Sequence, residues 1–124
     1  MLRRLRWASF LLSGAFLLLG AMFLLAPAAA AGFYGLDTDA PSALFYVRAI
    51  GLRDAALALY LFGLALARLP RALSIVTFAT LVIPAGDILL LATSGAGRPV
   101  HYLLHAASLI CFAALACWCR AHDR

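Results

Sequence analysis

The chain has 124 residues, of which 66% are apolar and only 12% are charged. A soluble domain of this size has no interior large enough to hide so much apolar surface, so the composition predicts one integral membrane domain, residues 1–124. The net charge of +5 comes from ten arginines without any lysine. Because these arginines flank apolar runs and form no basic face with interleaved aromatic residues, we expect membrane lipid and no nucleic acid as a partner.

Four apolar runs are long enough to cross a bilayer as helices. They cover residues 7–27, 43–67, 72–93 and 100–118, and residues 32–41 read as a loop between the first two. The first run follows three arginines, as a signal peptide would, but about twenty apolar residues suit a span better. We therefore predict an all-α fold, a four-helix transmembrane bundle in which consecutive helices are antiparallel neighbours.

The arginines also predict the orientation of the bundle. With the N-terminus in the cytoplasm, the arginines on the inner side are Arg3, Arg4, Arg6, Arg68, Arg71, Arg120 and Arg124. Only Arg98 then lies in an outer loop, which is the asymmetry that the positive-inside rule describes. The sequence thus predicts a multi-pass protein of the bacterial inner membrane with both termini cytoplasmic, and it leaves a homodimer open.

Polar residues inside the apolar runs carry the functional signal, because a charge at that depth costs about 2.5–3.5 kcal/mol. These residues are Arg48, Arg53 and Asp54 in the second run, Asp87 in the third and His105 in the fourth. At a rise of about 1.5 Å per residue, Arg53 and Asp54 lie about 15 Å below the outer surface and the others about 8–9 Å. All of them fall in the outer half of the bilayer, which predicts one shared pocket.

Within that pocket Asp54, Arg53, Asp87 and His105 are the candidate catalytic residues. Neighbours in a helical sequence point in different directions, so we predict an ion pair between Arg53 and Asp87 on separate helices. Asp54 then has no dedicated partner, which suits a proton donor or acceptor. Two alternatives stay open: an ion pair that only holds the bundle together, and a protonated Asp54 bonded to a backbone carbonyl.

Four further residues are candidates for substrate binding: Arg48, Tyr46, Gly51 and His101. Gly51 leaves space one turn before Asp54 for a substrate or for another backbone. His101 and His105 lie one helical turn apart, but even with Asp87 they make an uncertain zinc ligand set, so we predict no metal and no cofactor. Pro84 is expected to kink the third span beside Asp87.

The remaining aromatic and sulfur-containing residues are expected to have packing roles. Tyr34, Tyr60 and Tyr102 are predicted to pack or to lie at the membrane interface. The three cysteines, Cys111, Cys117 and Cys119, form neither a disulfide pattern nor a complete metal motif, and we expect them to be reduced.

The sequence Gly51-Leu52-Arg53-Asp54 in the second run, with Asp87 in the third and His105 in the fourth, resembles a family of small four-helix membrane proteins of unknown function. This resemblance implies the fold and a shared polar site. The layout is also similar to the bundles of sterol isomerases and membrane terpene cyclases, although the chain contains no glutamate. Two aspartates with an arginine are similar to the site of certain epoxide hydrolases, in which one carboxyl acts as base and the other as acid.

Three classes of function are compatible with these features. The first is an intramembrane acid–base enzyme, an isomerase, a cyclase or an epoxide-opening hydrolase, acting on a small lipophilic molecule. The second is a non-catalytic accessory or structural membrane protein. The third is a small proton-coupled transporter, which would place polar groups toward both faces of the membrane, whereas here the inner half lacks them.

Overall fold

In the computed structural model the described residues are 1, 3–95 and 97–122, and they form an all-helical bundle. The predicted inner arginine Arg124 lies outside them. The helices are α1 (Arg3–Leu25), α2 (Pro27–Tyr34), α3 (Pro41–Leu66), α4 (Pro70–Thr80), α5 (Val82–Ser94) and α6 (Pro99–Ala121).

Four stretches are long and apolar enough to cross a membrane: Arg3–Leu25, Pro41–Leu66, Pro70–Ser94 and Pro99–Ala121. The predicted four-helix transmembrane fold is therefore confirmed, with every span beginning one to four residues before its apolar run. Pro41, Pro70 and Pro99 each stand at the start of a helix. Proline is tolerated there because the first helical residues lack an intrahelical partner for their N–H groups.

The predicted loop over residues 32–41 is wrong in its first part, because α2 continues to Tyr34. Pro27 begins this helix and an alanine run extends it. Gly35 ends it with a φ of 100°, and its N–H group bonds the Ala31 carbonyl oxygen at 3.1 Å. The consequence is a short helix beside one end of the bundle, with Tyr34 in its last turn.

Helices α1 and α3 form one layer, in which their backbones come very close. A Cβ atom on Gly51 would lie 2.8 Å from the Gly20 carbonyl oxygen, and one on Gly20 would lie 2.8 Å from that of Gly51. The Ser13 hydroxyl also donates across this contact to the Ala58 carbonyl oxygen at 2.7 Å. Gly51 thus makes room for another backbone, which was one of its two predicted uses. The long contact with α3 makes α1 an integral part of the bundle.

Helices α4, α5 and α6 form the second layer, since both α4 and α5 pack against α6. The Ser74 hydroxyl donates to the Ala116 carbonyl oxygen at 3.2 Å and ties α4 to α6. The two layers meet in a core at the end of the bundle that holds α4. This core contains Leu5, Leu57, Leu61, Leu73, Phe112, Leu115 and Cys119. Toward the other end the layers enclose a cavity beside α2.

The third span is broken between α4 and α5 at Leu81. Pro84 has no N–H group for the Thr80 carbonyl oxygen, and the Leu81 amide instead makes a shorter-range bond to Phe78 at 3.2 Å. Thr80 and Pro84 both line the cavity. The break therefore lies where the sequence predicts a kink.

Candidate functional site

The cavity between the two layers has a volume of about 340 Å³. This lies near the lower end of the range of about 300–1,000 Å³ that small-molecule sites occupy. Its walls are mostly aromatic and aliphatic, and every helix contributes to them. The apolar lining includes Phe16, Leu19, Met22, Phe23, Leu57, Ile83, Leu104 and Phe112. Such a cavity suits a small lipophilic molecule.

All four candidate catalytic residues line this cavity: Arg53 and Asp54 from α3, Asp87 from α5 and His105 from α6. The charged and imidazole side chains of three predicted spans therefore meet at one place. Asp54 and Asp87 are more than nine-tenths buried, and His105 is 9% exposed. Burial of this kind requires each polar group to have a partner or a ligand.

Arg53 pairs with its neighbour Asp54. Its Nε and Nη2 atoms each lie 3.1 Å from the Asp54 Oδ1 atom. The predicted ion pair between Arg53 and Asp87 is wrong, and so is the expectation that Asp54 has no dedicated partner. The Arg53 side chain is long and flexible enough to turn back along its own helix, which an argument from helical faces alone does not anticipate.

Asp87 is instead bound by α2 and α6. The Tyr34 hydroxyl donates to Asp87 Oδ1, and His105 Nδ1 lies 3.4 Å from Asp87 Oδ2. The His105 Nε2 atom lies 3.4 Å from the Tyr34 carbonyl oxygen, and the two rings meet edge to face at 5.0 Å. Both nitrogens of His105 thus face oxygen atoms, one of the Asp87 carboxyl group and one of the Tyr34 backbone.

Tyr34 was expected to be a packing aromatic, and its place in this network was missed. The sequence did indicate a helix that ends at Tyr34, since the next residue, Gly35, is of the type that typically ends a helix. Burial, followed by the bond to Asp87, raises the pKa of the Tyr34 hydroxyl well above its usual value. The hydroxyl therefore stays protonated at neutral pH and acts as a hydrogen-bond donor to the carboxylate.

Replacing Tyr34 with phenylalanine is expected to lower stability by about 1–3 kcal/mol, because one oxygen of a buried carboxylate loses its donor. Thermal unfolding in detergent micelles measures this loss. The matched control is Tyr60→Phe, at a tyrosine that is 61% exposed. Equal melting temperatures for the two variants would mean that the Tyr34 hydroxyl contributes nothing to the bundle.

The carboxyl groups of Asp54 and Asp87 differ in how many of their oxygen atoms have a partner. Both oxygens of Asp87 have partners, whereas Asp54 Oδ2 has no hydrogen-bond partner within residues 1, 3–95 and 97–122. The Arg53 side chain is 37% exposed, and its Nη1 atom makes no bond to another described residue. A free carboxylate oxygen and free guanidinium N–H groups therefore occur side by side on α3 at an apolar cavity.

The four predicted substrate-binding residues are not part of the cavity lining. Arg48 and Tyr46 are exposed on the outside of α3, with the Tyr46 ring against Phe45. Gly51 is enclosed between α1 and α3. Tyr46 and Arg48 lie on the exposed side of α3. Gly51 shares the buried side of α3 with Asp54, as residues three apart in a helix do, but α1 covers it there.

His101 lies apart from the Asp87 network, one turn before His105. Its Nδ1 atom accepts the Arg98 N–H group at 3.1 Å and so closes the start of α6. It lines a shallow groove with Gly32, Phe33 and Val100. The described part of the chain contains no group of three His, Cys, Asp or Glu side chains placed to hold a metal ion.

A protein-family model matches most of the chain. The model described as Domain of unknown function (DUF4267) matches residues 13–119. No curated protein and no solved structure matches the chain. The chain therefore belongs to the DUF4267 family, which confirms the predicted membership of a family of unknown function. The similarity to sterol isomerases and terpene cyclases stays a prediction.

Proposed function

We propose that this protein is an intramembrane acid–base enzyme that acts on a small lipophilic molecule. One observation carries the proposal: a buried aspartate, Asp54, keeps one oxygen free at the wall of an apolar cavity while its other oxygen is held by Arg53. A carboxyl group that serves only to hold helices together would have both oxygens bonded, as Asp87 does.

Asp54 is proposed as the group that takes and returns the proton. The bonds from Arg53 hold Oδ1 and leave Oδ2 free on a residue that lines the cavity, which suits a general base or acid. Arg53 also supplies free N–H groups beside that oxygen. These groups stabilise negative charge that develops on the substrate during proton removal.

Asp87 and His105 are proposed as positioning residues with Tyr34. Their bonds connect α2, α5 and α6 around the cavity and keep two ionisable groups in fixed places. Because charges interact strongly in an apolar site, this network also sets the electrostatic field at Asp54. In this scheme His105 assists proton transfer by contributing to the electrostatic field at Asp54 and by maintaining the shape of the cavity.

The mostly apolar walls favour reactions within one lipophilic molecule. Proton-transfer isomerisation and cyclisation need only a base and an acid next to the substrate, and both are available at Asp54. Epoxide opening fits the same groups, with water as an additional reactant. With the N-terminus in the cytoplasm, as the arginines predict, the cavity lies in the outer half of the bilayer.

A structural role is the second candidate, and the Asp87 network favours it. The Tyr34, Asp87 and His105 side chains come from three helices and bond one another, as a device that holds a bundle together would. The same bonds do not account for the free oxygen of Asp54. A proton-coupled transporter fits less well, because the polar groups are gathered at the one cavity.

A carboxyl-reactive lipophilic reagent tests the proposed role without a known substrate. Dicyclohexylcarbodiimide, which partitions into membranes and modifies protonated carboxyl groups, is expected to label Asp54 and to leave Asp87 unmodified. Asp87 is protected because both of its oxygens are bonded. Mass spectrometry of the modified chain in nanodiscs locates the label.

The Asp54→Asn variant is the control for this labelling and is expected to lose the label. Label on Asp87 alone, or no label within the bundle, contradicts an accessible proton-exchanging Asp54. Either result favours the structural role.

A further inference from the structure

The polar groups that keep hydrogen-bonding capacity define what the cavity can bind. Arg53 keeps N–H donors that Asp54 does not use, and Asp54 keeps the acceptor Oδ2. Ser108 also lines the cavity, and its hydroxyl makes no hydrogen bond to any other described residue. A serine in a helix usually bonds the carbonyl four residues earlier, so this hydroxyl is available to a ligand.

The charged side chains around the cavity determine which ligand charge it can accept. Arg53 is already paired with the Asp54 carboxyl group, and Asp87 is a second acidic side chain at the same cavity. Among the described residues no other arginine lines the cavity, so no unpaired arginine is there to bind an anion. An anionic ligand would therefore carry an uncompensated charge in an apolar site, which is strongly unfavourable.

The unused N–H groups of Arg53 and the free Oδ2 atom of Asp54 also determine which functional group the ligand carries. Arg53 requires an acceptor oxygen, and Asp54 Oδ2, two bonds from the atom that Arg53 holds, requires a hydrogen to remove or to bond. A carbonyl group with a hydrogen on the adjacent carbon presents both within a few ångströms. An alcohol offers an acceptor oxygen and an O–H group but no C–H bond made acidic by a carbonyl, and a hydrocarbon offers no acceptor, so neither suits proton transfer at carbon.

We infer that the substrate is an uncharged lipophilic ketone or enone whose carbonyl oxygen binds the free N–H groups of Arg53 and whose adjacent C–H bond faces Asp54 Oδ2. This assignment rests on the proposed acid–base function and names its substrate class. The cavity of about 340 Å³ holds a molecule of drug size, and a phospholipid with two acyl chains is too large for it.

The corresponding step is balanced without another reactant. The C–H bond next to the carbonyl breaks, its proton passes to Asp54 Oδ2, and its electron pair forms a carbon–carbon double bond. The carbonyl π electrons move to oxygen, and the N–H groups of Arg53 stabilise the enolate oxygen. Asp54 then returns the proton to the same carbon, or to a conjugated carbon further along, which moves the double bond.

The test uses the full chain in nanodiscs with two probes of similar length. Undecyl methyl ketone labelled with ¹³C at its carbonyl is neutral, and dodecyl sulfonate is permanently anionic. We expect a saturable downfield shift of the labelled carbonyl and binding of the ketone at least tenfold tighter than that of the sulfonate. Empty nanodiscs correct for partition into lipid.

Two variants identify the atoms involved. Arg53→Lys keeps the charge but loses the planar set of donors, and we expect it to reduce the carbonyl shift and to weaken ketone binding at least tenfold. Asp54→Asn is expected to bind the ketone. It is expected to lose the exchange of C–H for C–D in D₂O that mass spectrometry detects with the original chain.

The outcomes separate the substrate class from the proposed function. Sulfonate binding equal to or tighter than ketone binding, or no saturable carbonyl shift, overturns the assigned class while labelling of Asp54 still supports an acid–base role. An unchanged carbonyl shift in Arg53→Lys also overturns it. Selective ketone binding without any exchange supports the ligand class and overturns the enzymatic proposal.

Discussion

Replacing Asp54 with asparagine is expected to abolish proton transfer while leaving the bundle folded. The amide keeps the size of the side chain and can still accept a bond from Arg53 through its oxygen, but it no longer takes a proton. Loss of a general base lowers the rate by about 10²–10⁴-fold. The measurement is deuterium incorporation into a lipophilic ketone, with far-ultraviolet circular dichroism to verify the helical content.

Asp37→Asn is the matched control for this substitution. Asp37 lies exposed in the loop after α2, away from the cavity. It changes the net charge of the chain by the same amount as Asp54→Asn, so it separates a site effect from a charge effect. Exchange in Asp54→Asn at the rate of the Asp37→Asn protein would remove Asp54 from the mechanism.

Asp87→Asn is expected to behave differently from Asp54→Asn. Asp87 accepts a bond from Tyr34 and lies next to His105, so removing its charge leaves His105 Nδ1 facing an amide and weakens the link between α2 and the second layer. Breaking one member of a buried charged network is strongly destabilising. In the proposed mechanism the two aspartates therefore have separate roles: Asp87 holds the helices together, and Asp54 exchanges a proton with the substrate.

The sequence predicted which residues meet, because a charge in hydrocarbon is too costly to be left without a polar environment. Arg53, Asp54, Asp87 and His105 all fall in the predicted outer half of the bilayer on three helices, and depth follows directly from position along a helix. This argument needs only the bounds of the spans. It therefore holds even though the helices begin earlier than the apolar runs do.

The sequence did not predict which of these residues pair. A guanidinium at the end of a long side chain can reach its own neighbour or another helix, and the choice depends on what else approaches Asp87. Tyr34 decides it, by occupying one oxygen of Asp87 from α2. Since the end of α2, residues 32–34, was predicted to be loop, its tyrosine could not be assigned to the site.

The predicted substrate-binding residues lie away from the cavity for a related reason. Nearness in sequence placed Tyr46, Arg48 and Gly51 beside Arg53 and Asp54, but only one side of α3 faces the cavity. The face that carries Gly51 is closed by α1, whose Gly20 carbonyl oxygen stands where a side chain would otherwise be. Which neighbour covers which face is a property of tertiary packing that periodicity alone does not supply.

The Gly51→Ala substitution is expected to be among the most destabilising single-methyl additions in this protein. The new Cβ atom would meet the Gly20 carbonyl oxygen at 2.8 Å and the Phe23 Cβ atom at 2.9 Å. The first of these is a backbone atom and cannot rotate away, so α1 and α3 must separate along their contact. Overpacking of this kind costs about 1–3 kcal/mol.

Gly63→Ala on the same helix is the matched control, because a Cβ atom there has nothing within 4 Å. Alanine favours a helix over glycine by about 1 kcal/mol, so this control is expected to be neutral or slightly stabilising. Thermal unfolding in detergent micelles compares the two variants. Equal melting temperatures would show that the two helices can separate at no cost.

The same separation has a functional consequence. Phe23 and Asp54 line the cavity from α1 and α3, so moving these helices apart changes the distance between the apolar wall and the free carboxylate oxygen. A displacement of about 1 Å at a catalytic group lowers rates by about 10²-fold. Gly51→Ala should therefore reduce ketone exchange even below its melting temperature, whereas Gly63→Ala should retain it.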